Sequence, residues 1–142
     1  MSRILPMTNH IHLLLTPSSD NSIQRVFQHL GRQYAQYINK TYNRSGSLWE
    51  GRHKGSLIFE DRYLFSCYGY IELNPVTANM VNKPEDYPWS SFQLNAFGTL
   101  DSLITPHDSY LSITKSPANR LIAYRKLFDT PLHKEARPPS TF

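Results

Sequence analysis

The chain has 142 residues, of which 39% are hydrophobic and 13% aromatic, enough for a core, so a wholly disordered chain is excluded. Lysine and arginine number 15 against 11 acidic residues, and the net charge of +4 is compatible with a polyanionic partner such as nucleic acid. The longest apolar run, residues 4–15, is interrupted by polar side chains and falls short of the about 20 apolar residues that span a bilayer. A single cysteine, Cys67, cannot form an internal disulfide, which fits the cytoplasmic location that we expect.

The first part of the chain is predicted to form a hairpin and a long helix. Residues 3–6 and 10–16 are predicted strands, with turn residues at 6–9 between them. A helix is predicted over 22–42, capped by Asn21 or Ser22, because apolar side chains recur there at helical spacing: Ile23, Val26, Phe27, Leu30, Tyr34, Tyr37 and Ile38. A further strand is predicted over 56–59.

The second part is predicted to be mainly helical. Asp61 is a suitable N-cap for a helix over 62–73, whose core-facing residues are Leu64, Cys67, Tyr68 and Ile71. Pro75 should bend or restart this helix, with a short helix over 76–81. Residues 84–92 are expected to be irregular, with Trp89 packed inside, and another helix is expected at about 118–128. We therefore predict one domain over 1–130 and a mobile tail over 131–142.

Two histidines stand on one face of the second predicted strand. His10 and His12 are separated by one residue, which places their Cα atoms about 6.6–6.8 Å apart on the same side of a strand. Imidazoles at this spacing can converge on one metal ion. The same pattern also arises from two histidines on a solvated strand face, and the spacing alone favours that simpler interpretation.

A second pair of polar side chains lies on the helix predicted over 62–73. Tyr70 and Asn74 are four residues apart and share a helix face. A phenol can act as a nucleophile at phosphorus when a cation polarises the phosphate, and an amide oxygen is a ligand suited to Mg²⁺ or Mn²⁺. Alternatively, Tyr70 packs and Asn74 caps the helix. Glu72, between them, should meet solvent or a basic residue.

Basic residues concentrate on the long helix and in the loop after it. Trp49, Tyr42 and Tyr34 are interleaved with them, and phosphate pairing combined with base stacking is how proteins hold single strands. A solvated helix face with buried aromatics would give the same pattern. The candidate DNA-binding residues are Arg25, Arg32, Lys40, Arg44, Arg52 and Lys54.

Four segments together resemble the single-tyrosine HUH transposases, in particular those associated with repetitive extragenic palindromes. The resemblance covers roughly residues 4–92 and rests on MTNHIHLLLTP, GSLWEGRHKGSLI, DRYLFSCYGYIELNPVTANMV and YPWSSF, in that order. It implies an α+β fold with an antiparallel, ferredoxin-like sheet and helices on one face. It also implies that His10, His12 and Asn74 are metal ligands and that Tyr70 is the catalytic nucleophile.

The reaction implied by the resemblance is cleavage and rejoining of single-stranded, hairpin-bearing DNA. Tyr70 would form a 5′-phosphotyrosine link, with Mg²⁺ or Mn²⁺ as cofactor. Members of this family usually begin with a strand and a helix ahead of the segment that starts here at Ser2, so we expect the fold to be incomplete at its N-terminus. A truncated and inactive fragment, a homodimer that exchanges a strand, or a gap filled by residues 95–115 would follow from that.

Two functions of different classes are therefore considered. One is a metal-dependent DNA strand transferase that uses Tyr70. The other is a module that binds hairpin DNA or RNA without cutting it, which the basic helix alone would support. A phosphoesterase that uses water as its nucleophile is a third possibility.

Overall fold

The structure, a computed structural model, describes residues 1–59 and 61–129. Within them lie two strands, β1 (Arg3–Pro6) and β2 (Ile11–Leu14), and five α-helices: α1 (Ser22–Thr41), α2 (Asp61–Thr77), α3 (Phe92–Phe97), α4 (Asp108–Leu111) and α5 (Pro117–Leu127). A 3₁₀ turn spans Pro84–Asp86. The predicted α+β class with an antiparallel sheet is confirmed. No described helix has both the length and the apolar character needed to cross a membrane.

The chain divides into two compact units. One comprises Met1–Leu15 with the described residues from Ser56 onward, and the other is Thr16–Gly55. The prediction of one domain over 1–130 stays a prediction. The predicted mobile tail, 131–142, lies outside the described residues.

The sheet of the first unit is a two-stranded antiparallel hairpin. Its register places Arg3 opposite Leu14 and Leu5 opposite His12. Outside the hairpin, the Ser91 N–H donates to the Ile4 carbonyl over 3.1 Å. The segment after the 3₁₀ turn therefore runs along β1, and in the described chain no third strand pairs with β2.

An aromatic core lies beside this hairpin. It contains Leu64 and Tyr68 from α2 together with buried residues of the later helices: Phe92, Ala96, Tyr110 and Tyr124. The stripe predicted for α2 is confirmed, because Leu64, Cys67, Tyr68 and Ile71 are all buried. This packing fixes which side of α2 faces inward and which side faces the histidine strand.

Two predictions about secondary structure are wrong. Residues 56–59 form no strand, and Leu57 and Phe59 are exposed. Helix α2 continues through Pro75 to Thr77, with no separate helix over 76–81, and the Ala78 N–H donates to the Asn74 carbonyl over 2.8 Å. Asn21 occupies the predicted N-cap position of α1, with φ of 62°, although its side chain makes no capping hydrogen bond.

Candidate functional site

The hairpin positions the two histidines. The turn closes through the Met7 N–H, which donates to the His10 carbonyl over 2.8 Å, so His10 stands immediately before β2. His12 lies within β2 opposite Leu5, which is fully buried and anchors this part of the hairpin in the core. Alternation along an extended chain then directs both imidazoles to one face.

The two imidazole rings are in direct contact. The His10 Nε2 and His12 Nε2 atoms are 3.0 Å apart, and the ring centroids are separated by 4.7 Å. On the other side of the first ring, His10 Nδ1 lies 2.7 Å from Asn9 Oδ1. Because the amide oxygen accepts, this contact places a proton on Nδ1 and leaves the lone pair of His10 on Nε2. The 3.0 Å contact is then a hydrogen bond that His12 Nε2 donates to His10 Nε2, and a cation that replaced this proton would have both Nε2 atoms as ligands.

Helix α2 brings the predicted nucleophile to this pair. The Tyr70 ring lies edge-to-face with the His12 ring, with centroids 5.7 Å apart and planes at 83°. Asn74 lies one turn later on the helix and donates from Nδ2 to the Tyr70 carbonyl over 2.8 Å. Its amide nitrogen is thereby engaged, and its Oδ1 is the side-chain atom left to act as a ligand. The structure thus brings His10, His12 and Tyr70 together, with Asn74 beside Tyr70 on the helix.

The donor set fits a small divalent cation. Two ligands about 2.1 Å from an octahedral ion and at right angles to each other are about 3.0 Å apart, the separation of the two Nε2 atoms here. Among the described residues, no group of three or more His, Cys, Asp or Glu side chains gathers around a possible ion. The Asn74 amide oxygen, one turn after Tyr70, is the ligand type that suits such an ion.

The electrostatics of the pair favour the ligand form of imidazole. Burial lowers the pKa of His12, and the neighbouring His10 lowers it further. A histidine binds a metal only when it is neutral, so this environment keeps His12 in the competent state near pH 7.

Two other tyrosines of α2 are poorer candidates for the nucleophile. Tyr68 is almost completely buried in the aromatic core, with its ring beneath the guanidinium of Arg3. Tyr63 is about three helical turns from Asn74, so the two cannot share one ion. Tyr70 is half-buried and is the α2 tyrosine whose ring contacts a histidine.

The six predicted DNA-binding residues all lie in the unit Thr16–Gly55, and all are exposed. This unit holds those six basic residues against two acidic ones, Asp20 and Glu50, a net charge of +4, whereas the remaining residues carry nine of each sign. Arg25 and Arg32 are seven residues apart on α1 and share a face. The excess positive charge of the chain is therefore confined to this unit.

Aromatic side chains occupy a different face of α1. Trp49 donates from Nε1 to the Gly31 carbonyl over 2.9 Å, and its ring lies 5.8 Å from that of Tyr34. Tyr34 follows Arg32 by two residues, which places the two about 200° apart around the helix. Contrary to the interpretation with buried aromatics, Tyr34, Tyr37 and Trp49 are 50%, 62% and 46% exposed, and α1 contains no buried residue.

The structure also corrects two expectations about single residues. Trp89 does not pack inside but is 68% exposed, because the hydroxyl of Tyr87 and the N–H of Ser91 tether the chain on either side of it to carbonyls of β1. Glu72 was expected to meet solvent or a basic residue. It is completely buried and contacts the basic residue Arg3. Sequence reasoning gave Arg3 no role, since an arginine near a chain end carries no signal of burial.

Comparison with known proteins agrees with this arrangement. The family described as "Transposase IS200 like" matches residues 3–78, more than half of the chain. A Haemophilus influenzae protein, whose name places it among the REP-associated tyrosine transposases, is 31% identical over 99 residues, which is 63% of this chain. The chain spans 55% of the length of that relative. No solved structure matches significantly. The family match, together with the imidazole pair facing a tyrosine of α2, leads to one conclusion: the chain belongs to the IS200-like transposase family.

Proposed function

We propose that this chain cleaves and rejoins single-stranded, hairpin-bearing DNA through a covalent link to Tyr70. The observation that carries the proposal is the contact between the Tyr70 ring and the His12 ring, 5.7 Å between centroids, next to two Nε2 atoms 3.0 Å apart. A nucleophile and a pair of ligand atoms from distant parts of the chain meet there on one surface of the first unit.

The side chains around Tyr70 have distinct roles in this proposal. His10 Nε2, His12 Nε2 and Asn74 Oδ1 would hold Mg²⁺ or Mn²⁺. When bound, the cation would polarise the phosphate and offset the charge that develops on its oxygens. Asn9 fixes the orientation and tautomer of His10 from behind, as partners of metal-binding histidines commonly do. The half-buried position of Tyr70 restricts its rotamers and reduces the entropic cost of attack.

The proposed step forms one bond to phosphorus and breaks one. The Tyr70 oxygen attacks the phosphorus of one phosphodiester, the bond between phosphorus and the 3′ oxygen breaks, and a 5′-phosphotyrosine and a free 3′-hydroxyl result. The proton lost by the phenol equals the proton gained by the 3′ oxygen. Because the new ester stores the energy of the bond that was broken, a 3′-hydroxyl can later attack it and regenerate the phenol without ATP.

The unit Thr16–Gly55 would supply affinity for the DNA backbone. Its six exposed cations and net charge of +4 suit a polyanion, and such binding releases counterions and weakens steeply with salt.

A second candidate function is binding of hairpin DNA or RNA without cleavage. One observation favours it: the net positive charge lies in a unit that contains none of His10, His12, Tyr70 and Asn74. Affinity could then persist without the chemistry.

The test is formation of a covalent protein–DNA adduct on hairpin-bearing single-stranded DNA with Mg²⁺ or Mn²⁺. We expect an adduct with the wild type and with the control variant Tyr63→Phe, and none with Tyr70→Phe. Chelation of the metal, or His10→Ala with His12→Ala, should abolish the adduct. Salt-sensitive binding that survives the histidine changes, with no adduct from the wild type, would instead support the binding module.

A further inference from the structure

A buried ion pair joins β1 of the hairpin to α2, and these two elements position the candidate site. Arg3 of β1 and Glu72 of α2 are both 0% exposed, and Arg3 Nε is 3.4 Å from Glu72 Oε1. The Arg3 guanidinium carbon sits 3.6 Å above the centre of the Tyr68 ring. These two contacts hold the Arg3 side chain between the Tyr68 ring and the Glu72 carboxylate.

The Glu72 carboxylate joins several elements at this point. Its Oε1 accepts from the Ser91 hydroxyl over 2.7 Å and from Asn95 Nδ2 of α3 over 3.4 Å. Its Oε2 accepts from the Tyr124 hydroxyl of α5 over 2.6 Å. With Arg3 added, β1, α2, α3 and α5 all meet at one carboxylate, so any rotation of α2 about its axis would break these contacts.

The sequence positions of the pair connect it to the candidate site. Glu72 lies midway between Tyr70 and Asn74, and a displacement of two residues along a helix is about 200° of rotation. Glu72 therefore points to the side of α2 opposite Tyr70 and Asn74. On the hairpin, Arg3 lies two residues from Leu5, which pairs with His12. Glu72 is thus two residues from Tyr70 and from Asn74, and Arg3 is two residues from the strand partner of His12.

Stability alone does not account for this pair. Two charges removed from water cost several kcal/mol each, and replacing a buried ion pair by apolar residues of similar volume is often neutral or stabilising. Arg3 is, moreover, incompletely satisfied, because neither its Nε nor its Nη2 has a hydrogen-bond partner among the described residues, so Nε meets Glu72 as a charge contact only. Unlike apolar packing, the pair specifies the rotation of α2 about its axis, because the Glu72 carboxylate reaches its four partners in one orientation of the helix.

We propose that Arg3 and Glu72 are positioning residues that fix the rotation of α2 against the hairpin, so that Tyr70 faces His12. The geometric part stands on its own, while its consequence for DNA cleavage rests on the proposed function.

The test compares the His12–Tyr70 contact in the wild type and in the neutral double variant Arg3→Met with Glu72→Gln. The readout is the nuclear Overhauser effect between the two rings, with the adduct rate as a second measurement. We expect the double variant to keep a cooperative thermal transition near that of the wild type but to lose this signal. Since a misplacement near 1 Å can cost about 100-fold in rate, adduct formation should fall by about that factor.

Two further variants sharpen the result. Glu72→Asp keeps the charge but shortens the side chain, and it should weaken the ring-to-ring signal while the protein stays folded. The control is Tyr110→Phe, which removes a buried hydroxyl that donates to the Asn95 carbonyl and should leave the signal and the adduct rate unchanged.

A folded double variant that keeps the His12–Tyr70 signal would overturn the proposal. Failure of both the double variant and Glu72→Asp to fold would also overturn it, because the pair would then be needed for the fold itself. If the wild type forms no adduct, the proposed function fails, yet the ring-to-ring signal still decides whether the pair positions α2.

Discussion

The hydroxyl of Tyr124 offers a quantitative test of the buried carboxylate. Tyr124→Phe keeps the ring, which packs among Tyr68, Phe92 and Tyr110, and removes one hydrogen bond of 2.6 Å to Glu72 Oε2. Both residues are fully buried, so no water replaces the lost donor. The substitution therefore removes the donor of a charge-assisted hydrogen bond, together with the hydroxyl's weaker interaction with Arg3.

The expected loss follows from the chemistry of that bond. A hydrogen bond to a charged group contributes about 1.5–3 kcal/mol, and an acceptor left unpaired in the core costs its desolvation as well. Burial already raises the pKa of Glu72, while Arg3 and the Tyr124 hydroxyl oppose that rise. Losing the hydroxyl raises the pKa of Glu72 further. We expect Tyr124→Phe to lower the free energy of unfolding by about 2 kcal/mol at pH 7.

The assay is urea unfolding followed by circular dichroism, with Tyr68→Phe as the control. Tyr68 is as deeply buried, but its hydroxyl has no hydrogen-bond partner among the described residues, so its removal should cost close to nothing. A loss below about 0.5 kcal/mol for Tyr124→Phe, or equal losses for the two variants, would mean that the hydrogen bond to Glu72 does not stabilise the fold.

Three other predictions follow from the same structure. Burial raises the pKa of Tyr68 to about 12. Between about pH 10 and pH 12 the unfolded state loses a proton that the folded state keeps. The free energy of unfolding should therefore be unaffected by Tyr68 below about pH 10 and fall toward pH 12. Unfolding measurements across that range should show a shallower fall in Tyr68→Phe. Trp89→Ala should change the free energy of unfolding by less than about 0.5 kcal/mol, because the side chain is mostly exposed; a larger loss by urea titration would mean that Trp89 packs. Mn²⁺ at about 100 times its dissociation constant should stabilise the fold by about 2.7 kcal/mol, and equal stabilisation of His10→Ala with His12→Ala in thermal scans would place the ion elsewhere.

Local patterns in the sequence predicted the elements that carry the site. Alternation placed His10 and His12 on one face, and helical spacing gave both the length of α1 and the buried stripe of α2. These signals are strong because each depends on residues within a few positions of one another.

Features that depend on distant partners were not predictable in the same way. Glu72 is buried with Arg3, Ser91 and Tyr124 around its carboxylate, and no local sequence pattern predicts such a network. Residues 56–59 have the composition of a strand but are not assigned to one, because strand formation depends on distant pairing that composition does not reveal. The short helices α3 and α4 form around Phe92 and Tyr110, whose burial is decided by the shared aromatic core and not by periodicity.

The site itself was only partly defined by sequence. The spacing of Tyr70 and Asn74 gave a shared helix face, but whether that face meets the histidines depends on how α2 packs against the hairpin. That packing rests on contacts of β1 and α2 far apart in the chain.

The most direct test of the account is to locate the attachment point of DNA by tandem mass spectrometry. Wild-type protein is incubated with hairpin-bearing single-stranded DNA and Mn²⁺, digested with nuclease and protease, and searched for a tyrosine that carries a 5′-nucleotide. We expect this nucleotide on Tyr70. A nucleotide on Tyr63 or Tyr68, or a folded, Mn²⁺-binding protein that carries none, would contradict it.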